Sequence, residues 1–404
     1  MNYKKNQYFI DNVSINKIVN KYGSPIYCYS LKRLKENINN FKKNFKGINS
    51  LVCFSVKSNS NLKILKEIKS KGLGADVVSK GELIKALNAG IKPNKIVFSG
   101  VGKSFEEITF AIQKNILLIN SESESEIKVI ENVAKSKKKK INIGIRLNPN
   151  IDAKTLKKIS TGKSEDKFGL SENKVLKLLN EYRNSKYINI ECLSVHIGSQ
   201  ITSHVPYQKT LNVLKNLINK SKYNFKYIDL GGGMGIEYIK NSKKLNYKKY
   251  NSLIKKFTSK IKSKIIFEPG RSIVGNCALL LTKIVYLKKT NKINFVILDA
   301  AMNDLMRPAL YGSKHNIIPS IKRRKFENIK HEFVGPICET TDKFLAVGKY
   351  QSLVEGDVMA ICDVGAYGFS LSSNYNQRAK PAELLINGSK IIIIRKKQKL
   401  EDII

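Results

Sequence analysis

From about residue 50 onward the chain alternates between two textures. Short runs rich in β-branched and apolar residues are followed by longer stretches whose apolar positions recur every three or four residues. The runs that predict strands are Leu51–Val56, Gly74–Val78, Lys95–Ser99, Ile116–Asn120, Ile141–Leu147, Cys192–Ile197, Lys226–Leu230 and Lys264–Phe267. Helical patterns lie between them. Ser60–Lys71 sets Leu62, Ile64, Leu65 and Ile68 on one face, and Ser171–Tyr182 does the same with Val175, Leu176, Leu178 and Leu179. Eight such units in about 220 residues have the length and rhythm of a (β/α)8 barrel. A doubly wound parallel sheet alternates in the same way and stays open at this point.

Past residue 275 the long helical stretches disappear. Ala278–Leu287, Asn294–Asp299, His331–Val334, Asp357–Cys362, Ala382–Ile386 and Lys390–Arg395 read as strands of a mostly antiparallel β domain. The early run Pro25–Tyr29 precedes the barrel and is expected to join that domain. The expected organisation is therefore an N-terminal segment over 1–35 that joins the β domain, a barrel over 36–275, and a C-terminal β domain over 276–404.

Composition narrows the classes. At 404 residues and 42% hydrophobic, the chain can bury a sizeable core. Its apolar runs, such as Ala278–Leu281 and Ile391–Ile394, are far shorter than the roughly 20 residues of a membrane span. Met1–Lys5 lacks the apolar stretch of a secretion signal. Cysteines stand singly at 28, 53, 192, 277, 338 and 362 with no C-x-x-C pair, which argues against zinc and for a reducing, cytoplasmic setting. The net charge is +41, from 73 Lys and Arg against 32 Asp and Glu. The lysines are spread along the whole chain and arginine is scarce, so the charge reads as solubilising helix surface rather than a specific nucleic-acid partner. Lys137–Lys140 is the most patch-like run and reads as an exposed helix end.

Chemistry in a barrel gathers where strands end. The first strand ends in Lys57, the second runs into Asp76, Ser79 and Glu82, the fifth carries Arg146, and the sixth ends in His196–Gln200. The seventh ends in Asp229 and the Gly231–Gly233 turn, and the eighth in Glu268–Arg271. A chain built only to pack would not place ionisable groups at so many strand ends in one direction. Taken singly, each has a bland reading. Lys57 could simply reach solvent, or it could be a Schiff-base lysine for a carbonyl cofactor. His196 could be a core histidine. Glu268 could pair with Arg271, or face a ring nitrogen and hold its proton. The Gly231–Gly233 turn suits a phosphate cup better than a dinucleotide fingerprint, because no strand-end acid follows about 20 residues on.

Taken together, Lys57-Ser58-Asn59, Asp76–Glu82, His196–Gln200, Gly231–Gly233 and Glu268–Arg271 occur in the order of the fold-type III pyridoxal-phosphate decarboxylases, which this chain resembles over nearly its full length. Met302–Tyr311, Gly335–Glu339 and Gly365–Ser370, with Ile159–Gly162 and Lys167–Gly169, resemble the diaminopimelate branch of that family. Glu339 after Cys338 departs from the ornithine branch, which carries Asp there. Leu156 and Ala301 depart from the common family residues, His and Gly.

The resemblance implies a pyridoxal 5'-phosphate-binding TIM barrel of the alanine-racemase-like type plus the β domain. It implies decarboxylation of meso-2,6-diaminopimelate to L-lysine, the last step of lysine biosynthesis, with an ornithine- or arginine-type reaction as the alternative. An alanine-racemase-like activity is disfavoured by Glu268. The implied catalytic residues are Lys57 and Cys338. The implied cofactor contacts are Lys57, Asp76, His196, Ser199, Gly233, Glu268, Gly270, Arg271 and Tyr367. Arg271, Arg307, Tyr311, Glu339 and Tyr367 would bind the substrate, with Arg307 suited to a distal carboxylate and Glu339 to a distal ammonium. In this family the loop carrying Cys338 and Glu339 reaches into a partner's barrel, so a homodimer with shared sites is implied.

Overall fold

The computed structural model describes residues 1–239 and 241–404. The chain forms two compact units, one comprising 1–38, 237–242 and 273–404, the other 39–236 and 243–272.

The second unit is built on a closed parallel barrel. Its strands are β1 (Ser50–Ser55), β2 (Gly74–Val77), β3 (Ile96–Phe98), β4 (Leu118–Ser121), β5 (Ile141–Arg146), β6 (Ile188–Ser194), β7 (Tyr227–Asp229) and β8 (Lys264–Phe267). Each pairs with its successor, and β8 pairs with β1 to close the ring, which rules out the doubly wound sheet. The strand that departs most from the sequence expectation is β6, which begins at Ile188 rather than Cys192. A register shift between Ile190 and Cys192 in its pairing with β5 breaks the alternation that would have shown its start.

Capping fixes the helices. Asn61 accepts from Lys63 N to open α1 (Leu62–Ser70), and Ser79 accepts from Glu82 N to open α2 (Lys80–Asn88). Ser104 and Glu107 form a reciprocal capping box on α3 (Phe105–Gln113). Each of these caps lies just beyond a strand end, so the same short connection both starts the helix and carries mouth residues. In α1 the buried Ile64, Leu65 and Ile68 form the expected apolar face. Inside the barrel, Cys53, Val97, Leu118, Cys192 and Ile266 form one buried cluster. Glycine at 74 is required by packing, since a Cβ there would lie 2.0 Å from the Lys95 carbonyl oxygen.

The first unit holds a nine-stranded, mostly antiparallel sheet. Ile26–Ser30 lies in its middle, antiparallel to Ala278–Lys289 and parallel to Ala382–Asn387, so the early strand joins the β domain as expected. Ile26, Cys28, Leu279, Leu281, Val358, Ala360, Leu384 and Ile386 supply its core.

Candidate active site

All eight strands of the barrel end on one rim, and their terminal side chains are cross-linked. Beyond β1 a single 3-10 turn, Val56–Ser58, holds Lys57. Its Nζ lies 3.0 Å from Oδ2 of Asp76, the same oxygen that accepts from Ser55 Oγ at 2.8 Å. Asp76 is fully buried, and its Oδ1 has no hydrogen-bond partner. Glu82, which accepts from Val78 N at 2.9 Å, is pushed up to about 7, first of all by burial.

A second cluster spans the opposite strands. Asn120 donates to Asp229 Oδ2 at 3.0 Å and to Ser99 Oγ at 3.2 Å. Asp229 Oδ1 accepts from Gly231 N at 2.9 Å. Ser99 Oγ donates to Glu268 Oε1 at 3.4 Å. Glu268 and Asp229 hydrogen-bond each other through their carboxyls. Burial, then the charges of Asp229 and Asp76, drive the Glu268 carboxyl well above its ordinary range, while Lys57 opposes them. Burial raises Asp229 to about 6. The bond between them raises Glu268 and lowers Asp229, so the two carboxyls titrate as a pair.

His196 sits on the wall between these clusters. Its Nδ1 accepts from Gly232 N at 3.0 Å, which places the ring proton on Nε2 and makes the imidazole neutral. Burial first, then Arg146 and Lys57, hold it well below the usual histidine range. Its carbonyl accepts from Arg146 and from Thr161 Oγ1, at 3.3 and 2.8 Å. Arg146 itself is bound to Glu122 at 2.9 Å and lies over the Phe168 ring, so its charge is used within the wall.

The glycine turn is shaped by close backbone approach. A Cβ on Gly232 would come within 2.1 Å of the Glu268 carbonyl oxygen, and one on Gly233 within 2.2 Å of that of Gly198. Gly231 and Gly233 both adopt positive φ, +62° and +83°. A Cβ on Gly270 would meet Ser58 at 2.9 Å. Arg271 donates to Ser199 Oγ at 2.8 Å. Glu268 thus turns to Ser99 and Asp229, and Arg271 to Ser199.

The barrel unit therefore gathers Lys57, Asp76, His196, Ser199, Gly233, Glu268, Gly270 and Arg271. Arg307, Tyr311, Cys338, Glu339 and Tyr367 belong to the other unit. Arg307 opens the short helix Arg307–Tyr311 and is buried. Its Nη1 lies 2.7 Å from His315 Nε2, Nη2 lies 3.3 Å from Ser313 Oγ, and the guanidinium covers the Tyr238 ring at 4.6 Å. Cys338 and Glu339 sit exposed on a loop whose backbone is pinned by Asp342. That carboxylate accepts from Met302 N at 2.7 Å and Ile337 N at 2.9 Å. Glu339 accepts from Thr341 Oγ1 and from the Tyr375 hydroxyl. Tyr367 is held at φ +58°.

Sequence reasoning assigned no role to Ser99, Asn120, Glu122 or Asp229. Asp229 was visible as a strand-end acid before the glycines. Its partnership with Glu268 is set by burial and by a contact 39 positions away along the chain. Of the two departures from the family pattern, Leu156 is 52% exposed and Ala301 is buried. Neither is among the residues placed at the site.

A closed barrel with a lysine paired to a buried aspartate, a buried pair of carboxyls and a glycine turn at its strand ends defines an enzyme class built to hold an amine-reactive ligand with an anionic tail. The family model of pyridoxal-dependent decarboxylases, in its pyridoxal binding domain, matches residues 31–275. The chain belongs to this family, on its diaminopimelate decarboxylase branch. It is 39% identical to the diaminopimelate decarboxylase of Aquifex aeolicus, over 100% of this chain and 96% of that one. The crystal structure of the Helicobacter pylori enzyme, complexed with L-lysine, matches with a TM-score of 0.90 at 42% identity, covering 96% of this chain and 98% of that one. A diaminopimelate decarboxylase structure from M. jannaschii gives 0.94 at 34% identity, covering 99% and 96%.

Pyridoxal phosphate fits the residues present. Lys57 supplies an amine, Glu268 a proton donor in a dry pocket, and His196 a flat neutral wall. The glycine turn, Ser199 and Arg271 supply the donors a phosphate requires.

Proposed function

We propose that the protein decarboxylates meso-2,6-diaminopimelate to L-lysine and CO2 with pyridoxal 5'-phosphate as cofactor. The observation that carries this reading is the buried cluster of Glu268 and Asp229, tied together through Asn120 and Ser99, on the rim that also carries Lys57 against Asp76. When bound, the cofactor supplies an aldehyde that takes up amines and a ring that accepts the electron pair released as CO2 leaves. Lys57 would hold the aldehyde through its amine, and Asp76 holds the Lys57 Nζ in place. Glu268 keeps a proton directed at the ring nitrogen. His196 supports the ring face. Gly233, Ser199, Gly270 and Arg271 would bind the phosphate, and Tyr367 would contact cofactor and substrate.

Residues beyond the barrel take the roles of selectivity and of returning the proton. Arg307, with Arg271 and Tyr311, binds the distal carboxylate. The Arg307 guanidinium is held against the His315 ring nitrogen and the Ser313 hydroxyl, and its planar fork is of the kind that binds a carboxylate through two hydrogen bonds. Glu339 receives the distal ammonium. Cys338 Sγ delivers a proton to the carbon that has lost CO2. We further infer a homodimer in which Cys338 and Glu339 complete the partner's site, because both stand exposed on a pinned loop. In a mixed dimer of Lys57→Ala and Cys338→Ala chains, one of the two sites is then intact, and mixing the inactive proteins should restore activity. The setting that goes with this reading is the cytoplasm, in keeping with six unpaired cysteines.

The test follows CO2 release from meso-diaminopimelate, L-ornithine and L-arginine in parallel, with the protein loaded with pyridoxal phosphate. Lysine and CO2 should come from the first alone. Turnover of ornithine or arginine would retain the roles of Lys57 and Glu268 and overturn those of Arg307 and Glu339.

A further inference from the structure

The barrel has a second face, at the strand starts, where helices return to strands. Eight connections form it: 45–49, 71–73, 89–95, 114–117, 137–140, 182–187, 222–226 and 259–263. Together they carry fifteen Lys or Arg and no Asp or Glu, with at least one basic residue in each. At the chain's overall ratio of 73 basic to 32 acidic residues, six or seven carboxylates would accompany them. The connections at the opposite rim do carry acids, among them Glu122, Asp152, Glu165, Asp166 and Glu268. The charge is therefore segregated by face, although along the chain it looks evenly spread.

Most of this charge is available. Lys46, Lys92, Lys114, Lys137–Lys140, Arg183, Lys186, Lys222, Lys226, Lys260 and Lys262 are exposed. Nearby carboxylates are Glu181, which ends a helix, and Glu191, which takes Lys226 at 3.3 Å. Helix dipoles explain the sign, because helix C-termini favour cations. They do not explain the amount. Eight helix ends at about half a charge each offset only about 4 charges of the fifteen.

We propose that this strand-start face binds the phosphate backbone of single-stranded nucleic acid without reading its sequence. Two features favour a strand over a bilayer. The face carries a shallow, open hollow of about 380 Å³ whose lining includes Arg183, Glu191, Lys222, Tyr223, Asn224 and Lys226. The Arg183 guanidinium lies 6.0 Å over the Tyr223 ring, and together they offer a stacking platform next to cations, the combination single-strand binders use. In addition, none of the large apolar side chains found exposed lies in these eight connections, so among the described residues the face offers nothing to insert into a membrane.

Binding of the full-length protein to a fluorescein-labelled 20-nucleotide oligouridylate by anisotropy tests this. With about five phosphates engaged, raising salt from 50 to 200 mM should weaken binding about 100-fold. Lys138→Glu, Lys140→Glu, Arg183→Glu and Lys222→Glu combined should weaken it at least about tenfold. A control with the same charge change on helix flanks, Lys63→Glu, Lys128→Glu, Lys174→Glu and Lys209→Glu, should weaken it less than about threefold. Equal losses in the two variants, no binding at 50 mM salt, or capture by phosphatidylserine vesicles without capture of the oligonucleotide would each overturn the proposal. Should either variant fold poorly by circular dichroism, photocrosslinking a 4-thiouridine strand to the unmodified protein decides: adducts should map to 182–187 and 222–226, and adducts at the opposite rim would sink the idea.

Discussion

The strand-end rim of the barrel and the loop carrying Cys338 and Glu339 solve opposite problems. On the rim, nearly every polar group is buried and bound to another, in chains that run Lys57–Asp76–Ser55 and Glu268–Asp229–Asn120–Ser99. In the loop the backbone is fixed by Asp342 while Cys338 and Glu339 face outward. The rim is dry enough to move proton affinities before any ligand arrives. The loop leaves Cys338 and Glu339 unburied, in surroundings that the proposed partner subunit would supply. Buried, mutually bound groups and exposed ones are thus kept in separate segments of the chain.

That division can be broken from either side. The largest effect is expected for Lys57→Ala, which removes the covalent anchor: CO2 release should fall to the limit of detection, and the absorbance of lysine-bound cofactor should vanish. Cys338→Ala should leave that absorbance unchanged and still lower turnover by about 100-fold or more, the usual worth of a positioned proton donor. If Cys338→Ala also lost the cofactor spectrum, the two halves would not be separate. A milder outcome is expected for Arg307→Gln. It should cost about 10- to 100-fold in kcat/KM for diaminopimelate, as a lost charge-assisted bond in a closed site does, with the cofactor spectrum intact.

The same contrast marks what could be read from the chain. Lys57, His196 and Glu268 were legible because each ends a β-rich run, and strand ends are where a barrel keeps its chemistry. The sheet was legible from its strands, including Ile26–Ser30. The pieces that escaped are those set by three-dimensional neighbours. Arg146 read as a mouth arginine, yet it is committed to Glu122, 24 positions earlier. Asp229 gains its weight only from burial against Glu268. The N-terminal strands Asn2–Lys4, Gln7–Ile10 and Val13–Ser14 are too short to show a period. The lysines of the strand-start face gather only once eight separate turns are brought to one end.

The smallest effect is expected in stability, and it sharpens how far rim burial costs the fold. Glu82 titrates at about 7 in the folded barrel, against an ordinary value of 4.5. A carboxyl raised in this way binds its proton more tightly when folded than when unfolded. Its contribution is therefore fully present below about pH 4.5 and is lost as the pH climbs to about 7. Glu82→Gln keeps an acceptor for Val78 N and cannot titrate, so it escapes that loss. The two proteins should melt alike near pH 4, and the variant should gain steadily to pH 7 and then hold level, by at most about 3 kcal/mol. Melting curves at pH 4, 5, 6, 7 and 8 would measure it. A difference that stayed constant across this range would mean that Glu82 titrates as it does in water, and that the rim on this side is wetter than its packing implies.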